Sequence, residues 1–211
     1  MTGPMDVNIS VEGFSLPGIL TVPQGAAGAV IFAHGSGSSR FSSRNMLVAR
    51  VLNESGLATL LFDLLTEEED VVYENRFDIG LITERLRGAT AWARERDDIG
   101  GLPIGYFGAS TGAAAALSAA AADKDILAVI SRGGRPDLAM DALAEVRAAT
   151  LFVVGGNDVI VLDLNQHAYD RIKAPKALEV VPGASHLFEE PGTLERAAAL
   201  AATWLRQYLA R

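Results

Sequence analysis

Short apolar runs rich in β-branched residues recur along the chain, and longer segments with apolar residues at helical spacing separate them. The runs do not alternate polar and apolar residues, which is typical of strands buried on both faces of a parallel sheet. The predicted parallel strands are Ala29–Ala33, Ala58–Phe62, Ile104–Gly108, Ile126–Ser131, Thr150–Gly155 and Ala177–Val181.

Helices are predicted between these strands and after the last one. Two further strands, Val7–Val11 and Leu16–Val22, precede them as an antiparallel pair joined through Gly13. The pattern predicts one α/β domain over residues 1–211, with a mostly parallel eight-stranded sheet and helices on both faces. The predicted helices are Asn45–Ser55, Asp78–Arg96, Thr111–Ala122, Asp137–Val146, Leu162–Ile172 and Thr193–Tyr208.

The connections between strands indicate an open site. Only "RGGR", Arg132 to Arg135, separates the strand ending at Ser131 from the next helix, which leaves no room for a cap domain. The longest connection, Leu64–Phe77, can form a rim, and its "TEEED" stretch, Thr66–Asp70, is expected to be a solvated loop. Because ligands bind outside the carboxyl ends of strands in such sheets, candidate site residues are sought there.

Ser110 lies in the stretch "GASTG", directly after the strand Ile104–Gly108. A serine on a sharp turn from strand to helix needs small neighbours two residues away, and these are Gly108 and Gly112. The following helix would point its positive N-terminus at a developing oxyanion. The sequence therefore indicates a nucleophile, although a serine that caps the helix is an alternative of similar weight.

Two later loops supply the partners that a nucleophilic serine needs. "GNDVIV" places Asp158 after one strand, and "PGASHLFEEPG" places His186 after the last strand. The order serine, aspartate, histidine is that of an α/β-hydrolase triad. Each partner alone could be an ordinary loop residue, but the three together favour catalysis.

An oxyanion hole needs two N–H donors, which we assign to the backbones of Thr111 and of Ser36 in the loop "HGSGSSR". His34, at the start of that loop, is a rival base but suits a structural role that holds the loop by a hydrogen bond. His167 lies within a predicted helix and is expected at the surface.

"HGSGSSR", "GASTG", "GNDVIV" and "GASHLFEEPG" together resemble the dienelactone-hydrolase-like branch of the α/β-hydrolase superfamily. The phrases "RFDIGLITERL" and "SRGGRPDLA" further resemble a bacterial subgroup, some members of which are fused to a phosphoribosyltransferase domain. The resemblance implies the fold and the catalytic roles. Dienelactone hydrolase itself uses a cysteine nucleophile, whereas this chain has 0 cysteines, so the sequence favours serine esterase chemistry over dienelactone as substrate.

The overall charge narrows the choice of partner. With 18 basic and 26 acidic residues the net charge is -8, which argues against nucleic acid and anionic membranes. The chain has no cluster of histidines and carboxylates, and the triad needs no metal or cofactor. We see no signal peptide at the start and no apolar run of membrane-spanning length, so we expect a cytoplasmic protein.

Arg132 and Arg135 follow a strand on the edge where substrate should lie. Arginine suits carboxylate and phosphate, so both residues are candidate contacts for an anionic group on the substrate. Alternatively, Arg132 pairs with a local carboxylate such as Asp63, and Arg135 is solvated.

The sequence thus predicts a serine hydrolase that cleaves carboxylic esters of small to medium acyl groups. The same residues would serve a thioesterase or lactonase. A binding protein without catalysis, using the pocket as a receptor, is the alternative from another class. The expected binding partner is a small ester substrate. A homodimer is one of the oligomeric states that we expect.

Overall fold

All eight predicted strands are present and join one sheet in the computed structural model, which describes residues 3–11 and 13–210. Residues 1 and 2, at the start where no signal peptide was expected, lie outside the described residues. The strands are β1 (Met5–Val11), β2 (Phe14–Thr21), β3 (Ala29–Ala33), β4 (Ala58–Phe62), β5 (Ile104–Ala109), β6 (Ile126–Arg132), β7 (Ala149–Gly155) and β8 (Lys176–Val181).

The strand order is β1-β2-β4-β3-β5-β6-β7-β8. β1 pairs with β2 and β2 with β4 in antiparallel fashion, while the remaining neighbours are parallel. β3, β4 and β5 are buried along their whole length, which explains their unbroken apolar character. The predicted fold class is confirmed.

Helices cover both faces of the sheet and enclose two apolar layers. Residues of α1 and α6 pack in one layer, and residues of α3, α4 and α5 pack in the other. No helix among the described residues is long and apolar enough to cross a membrane. The helices are α1 (Ser43–Glu54), α2 (Glu67–Asp70), α3 (Ile79–Arg94), α4 (Thr111–Ala122), α5 (Val159–Arg171) and α6 (Thr193–Leu209).

The helix predicted over Asp137–Val146 is wrong. Two 3-10 helices, Pro136–Ala139 and Leu143–Glu145, occupy this stretch and are separated by a turn. The apolar residues Ala139, Leu143 and Val146 are buried, so their helix-like spacing reflects burial in two short turns rather than a continuous helix.

The acidic stretch Thr66–Asp70 is not the solvated loop that we expected. Thr66 caps α2, and Glu69 returns its side chain to the Thr66 backbone N–H to complete a capping box. Glu69 also pairs with the buried guanidinium of Arg85, and Asp70 pairs with Arg76 at 2.8 Å. The Glu69–Arg85 pair attaches the connection between β4 and α3 to α3, and the Asp70–Arg76 pair holds the connection together internally.

Two glycines allow α4 to begin against the backbone of β3. A Cβ atom on Gly112 would lie 2.1 Å from the carbonyl oxygen of Ala33, and one on Gly108 would lie 2.4 Å from the Cα of Ala113. Real side chains do not approach backbone this closely. The spacing of the two glycines around Ser110 is therefore a packing requirement.

The loop after β3 is joined to the loop after β4 through the ring of His34. The backbone N–H of Leu64 donates to His34 Nε2 at 3.1 Å, so Nδ1 carries the ring proton and donates to the Gly35 carbonyl at 2.9 Å. Burial lowers the pKa of His34, and it outweighs the Gly35 hydrogen bond and the nearby negative charges of Asp63 and Asp70, which raise it. His34 has the structural role that its position indicated.

Replacing Gly112 with alanine should destabilise the fold by about 3 kcal/mol or more, because the backbone of β3 must move away from the new methyl group. Gly101→Ala is the control, since a Cβ atom there meets nothing within 4 Å, and it should change stability by less than about 0.5 kcal/mol. Urea unfolding of both variants measures the difference. Equal stability of the two would contradict the packing requirement.

The lowered pKa of His34 predicts a loss of stability in acid. Below the unfolded-state pKa of about 6.5, the unfolded chain binds a proton that the folded chain refuses, so the free energy of unfolding decreases as the pH falls. This extra slope approaches about 1.4 kcal/mol per pH unit and ends at the folded-state pKa. Urea titrations of the wild type and His34→Gln between pH 7 and pH 5 measure it, and parallel curves would show that His34 does not contribute.

Candidate active site

Ser110 adopts a backbone conformation that is rare for a residue with a side chain. Its φ is 51° and its ψ is -122°, at the junction where β5 ends and α4 begins. Although Ser110 is the N-cap residue of α4, its side chain makes no capping hydrogen bond. The alternative of a purely structural cap is therefore not supported, and the hydroxyl lies instead beside His186.

The three residues of the predicted triad form a continuous chain of hydrogen-bonding groups. His186 Nδ1 lies 2.6 Å from Asp158 Oδ2, and His186 Nε2 lies 3.4 Å from Ser110 Oγ. The Asp158 side chain is 15% exposed and the His186 side chain is 37% exposed, so the carboxylate is shielded while the ring faces the opening. The longer serine contact is of the kind that shortens when substrate binds.

Neighbouring loop residues hold Asp158 and His186 in place. Asn157 Nδ2 donates to the Gly183 carbonyl at 2.8 Å, which joins the loop carrying Asp158 to the loop carrying His186. The Ser185 backbone N–H donates to Glu190 Oε2 at 2.9 Å, and this hydrogen bond is the main reason why the pKa of Glu190 is lowered.

The two predicted oxyanion donors lie next to each other, but they are not equally free. The Thr111 N–H is in the first turn of α4, where the helix offers no acceptor. The Ser36 N–H already donates to Thr111 Oγ1 at 2.9 Å. Thr111 therefore contributes a free backbone donor and also holds the Ser36 loop against the turn at Ser110.

A cavity of about 240 Å³ opens over Ser110 and His186. Its wall combines the loop after β3, the start of α1, the end of β6 and the loop after β8. The residues lining it are Gly35, Ser36, Ser38, Ser42, Arg44, Asn45, Ala109, Ser110, Arg132, Gly133, His186 and Leu187.

Arg132 lies in this cavity wall and is only 6% exposed. Its alternative partner Asp63 instead accepts hydrogen bonds from Arg40, through both the backbone and the guanidinium. The Arg132 guanidinium lies 5.6 Å from the centre of the Phe188 ring. Burial first, and then the nearby positive charge of Arg44, together lower the pKa of Arg132 to about 10.

Arg135, the second predicted substrate contact, is not part of the cavity wall. Its guanidinium forms a bidentate ion pair with the carboxylate of Asp137, two residues along the chain, and both hydrogen bonds are 2.8 Å long. His167 is exposed on α5, with Nδ1 2.9 Å from the Asp163 carbonyl oxygen. The structure thus places one of the two predicted arginines in the cavity and leaves His167 at the surface.

Sequence reasoning missed Arg44 and Asn45, which enter the cavity from the first turn of α1. They follow the predicted oxyanion loop along the chain, but no motif distinguishes them from ordinary helix residues. Among the described residues, no group of three or more His, Asp or Glu side chains could hold a metal ion.

No family model matches the chain. Two curated proteins of Mycobacterium tuberculosis, from strains CDC 1551 and H37Rv, are each 55% identical to it over 97% of its length. Both carry the name "putative phosphoribosyl transferase", and the match covers 46% of each. The chain therefore spans about half the length of these curated relatives.

Solved structures resemble the chain along almost its whole length. A structure of dienelactone hydrolase from Anabaena variabilis has a TM-score of 0.95 and 52% identity, covering 98% of this chain and 99% of that one. Est1E from Butyrivibrio proteoclasticus, with a TM-score of 0.83 and 18% identity over 96% of this chain and 98% of its own, shares the fold. The chain belongs to the dienelactone hydrolase family and has the α/β-hydrolase fold.

Proposed function

We propose that the protein is a serine esterase that hydrolyses small to medium carboxylic esters through an acyl-enzyme. The observation that carries the proposal is the contact series from Asp158 through His186 to Ser110, at 2.6 Å and 3.4 Å, with the serine on a turn of positive φ. These are the contacts and the backbone geometry that an activated serine needs.

In the acylation step, Ser110 Oγ attacks the carbonyl carbon of the ester while His186 Nε2 takes the hydroxyl proton. The carboxylate of Asp158 holds the ring in the tautomer that leaves Nε2 free to accept, and it stabilises the imidazolium that forms. His186 then gives the proton to the leaving alcohol. A water activated by His186 attacks the acyl-enzyme next, which releases the acid and restores Ser110.

The oxyanion formed in both steps would be held by the N–H groups of Thr111 and Ser36. The Thr111 donor is free and lies at the positive end of α4. The Ser36 donor would be shared between the oxyanion and Thr111 Oγ1, its present acceptor. Because the shared donor is already held in place, little reorganisation is needed when the oxyanion forms.

The size of the cavity supports small and medium acyl groups over long-chain lipids. At about 240 Å³ it is smaller than many ligand pockets, and only residues 133–135 connect β6 to the next 3-10 helix, which leaves no inserted cap to enclose a long chain. A thioesterase or lactonase would use the same groups. A receptor without catalysis would not need the positive φ at Ser110.

The proposal extends to partners and location. We propose a small ester as the partner, rather than nucleic acid or an anionic membrane, because the net charge is -8. We also propose that the protein is cytoplasmic, which cell fractionation tests. We propose that it forms a homodimer, which light scattering tests.

Replacing Ser110 with alanine should abolish the turnover of p-nitrophenyl acetate and labelling by a fluorophosphonate probe, because both require the activated hydroxyl. Ser118→Ala, a matched change on α4 outside the cavity wall, should retain both. In the wild type, kcat/KM should decrease from the acetate to the octanoate. Labelling of Ser110→Ala would show that another residue is the nucleophile, whereas an unlabelled wild type without turnover would move the protein to the receptor class.

Replacing Asp158 with asparagine should lower kcat by roughly 10³- to 10⁴-fold with little change in KM, because the amide no longer selects the His186 tautomer. Asp163→Asn is the control, since Asp163 is 72% exposed beside His167 and outside the cavity. Steady-state kinetics on p-nitrophenyl acetate separate the two variants. Similar rates for both would exclude Asp158 from catalysis.

A further inference from the structure

We propose that Arg132 and Arg44 form a binding subsite for a phosphate group, so that the ester substrate carries a phosphate monoester close to the scissile bond. The part of this inference that concerns the reaction rests on the proposed esterase function. The part that concerns phosphate binding rests only on the residues of the cavity. It adds a substrate class to the site and introduces no new chemical step.

Arg132 is a buried cation without a carboxylate partner. It is 6% exposed, its Nε is buried and makes no hydrogen bond within residues 3–11 and 13–210, and its nearest assigned contact is the face of Phe188. Burying a guanidinium without a carboxylate beside it is costly, and the contact with the Phe188 ring offsets only part of that cost. A ligand that supplies a negative charge beside the guanidinium would explain why an arginine is buried at this position.

The direction of the Arg132 side chain follows from the pleat of β6. Side chains two residues apart point to the same face of a strand, so Arg132 shares a face with Ile130 and Ala128, which pack in the layer of α1 and α6. The first turn of α1, which carries Arg44 and Asn45, lines the same cavity as Arg132. The backbone of Arg132 pairs with Ala109, the residue before Ser110, which brings the guanidinium to the same cavity as the nucleophile.

Arg44 supplies a second positive charge from the first turn of α1. Its side chain is 34% exposed and lies 3.6 Å from Glu189, which is 64% exposed. Because both side chains of this ion pair are exposed to solvent and their charged atoms are 3.6 Å apart, Glu189 neutralises the positive charge of Arg44 only weakly. Two guanidiniums and one solvated carboxylate leave the cavity wall positive within an acidic protein.

The remaining donors suit phosphate better than carboxylate. α1 has no acidic residue in its first turn, so its N-terminus favours an anion. The Ser42 oxygen accepts from the Asn45 N–H at 3.3 Å, which leaves its proton for a ligand, and Ser38 adds another hydroxyl. A phosphate monoester offers three terminal oxygens and a charge of about -1.5 to -2, which matches two guanidiniums and these hydroxyls.

The size of the cavity places the phosphate near the ester. One cavity of about 240 Å³ holds Ser110, Arg132 and Arg44, so a single small molecule must present both groups a few bonds apart. The phosphate does not react. Its binding holds the acyl carbon against Ser110 and should lower KM more than it raises kcat.

Calorimetry on the Ser110→Ala protein tests the subsite without turnover, with glycerol 3-phosphate and glycerate as probes that differ in their anion. Glycerol 3-phosphate should bind at least about 10-fold more tightly than glycerate. Arg132→Met or Arg44→Met should each weaken its binding by roughly 10- to 100-fold, the loss expected for charged hydrogen bonds. Arg50→Met, an exposed arginine on the same helix, is the control and should bind like the parent.

Each contrary result in calorimetry overturns the phosphate subsite. These results are no binding of glycerol 3-phosphate, equal or tighter binding of glycerate, or equal affinity after both Arg132→Met and Arg44→Met. Thermal unfolding of each variant establishes that it is folded. Arg44 is partly exposed, so Arg44→Met keeps the test decisive if Arg132→Met does not fold.

Kinetics on the wild type separate this proposal from the esterase proposal. The substrates are the acetyl esters of glycerol, glycerate and glycerol 3-phosphate, which share the acyl group. The phosphate-bearing ester should have a kcat/KM at least about 10-fold above the neutral one, and Arg132→Met should remove most of that preference.

Two mixed results assign failure to one proposal only. If Ser110-dependent turnover of p-nitrophenyl acetate occurs without a preference for the phosphate-bearing ester, the phosphate subsite is wrong and the esterase stands. If Ser110→Ala binds glycerol 3-phosphate through Arg132 and the wild type hydrolyses no ester, the subsite stands and the esterase is wrong.

Discussion

The site depends on the close approach of α4 to β3, which forces the chain to turn within the single residue Ser110. Gly112 removes the side chain that would separate α4 from β3, Gly108 removes the one that would separate α4 from β5, and Ser110 between them has a φ of 51°. The turn projects the hydroxyl from the sheet edge and leaves the Thr111 N–H free at the start of the helix. A local backbone constraint thus places both the proposed nucleophile and one of the two proposed oxyanion donors.

The other parts of the site are fixed by contacts between loops, because each loop alone is too short to hold a side chain in place. His34 joins the loops after β3 and β4, Asn157 joins the loops after β7 and β8, and Thr111 holds Ser36. These three contacts join the loops that surround the cavity to one another and to the start of α4. Arg132 differs from these residues, since its buried Nε has no hydrogen-bond partner among the described residues and its guanidinium contacts only the ring of Phe188 among the interactions found there. A buried charge without a hydrogen-bond partner in a cavity wall is a place where a ligand can complete the structure.

A similar fold and a similar active site say different things about a protein's function. Est1E shares the fold at 18% identity with a TM-score of 0.83, so the architecture tolerates replacement of most residues. The Anabaena variabilis structure, at 52% identity, shows the family. The arginines at the cavity wall bear on substrate more directly than the fold does, because they are the charges that an incoming molecule meets.

The sequence by itself determined the positions of the strands, their apolar character and the candidate triad. The reason is that the spacing of apolar residues and the residue types at strand ends are local properties of the chain. It did not determine how the stretch 137–146 would fold, since burial at helical spacing fits two short turns as well as one helix. It also could not distinguish Arg135, which pairs with a carboxylate two residues away, from Arg132, which pairs with none in the part of the chain that the structure describes. Only the tertiary structure decided that Arg44 faces Arg132 across one cavity, because the two residues lie far apart in the chain and meet through packing of α1 against the sheet.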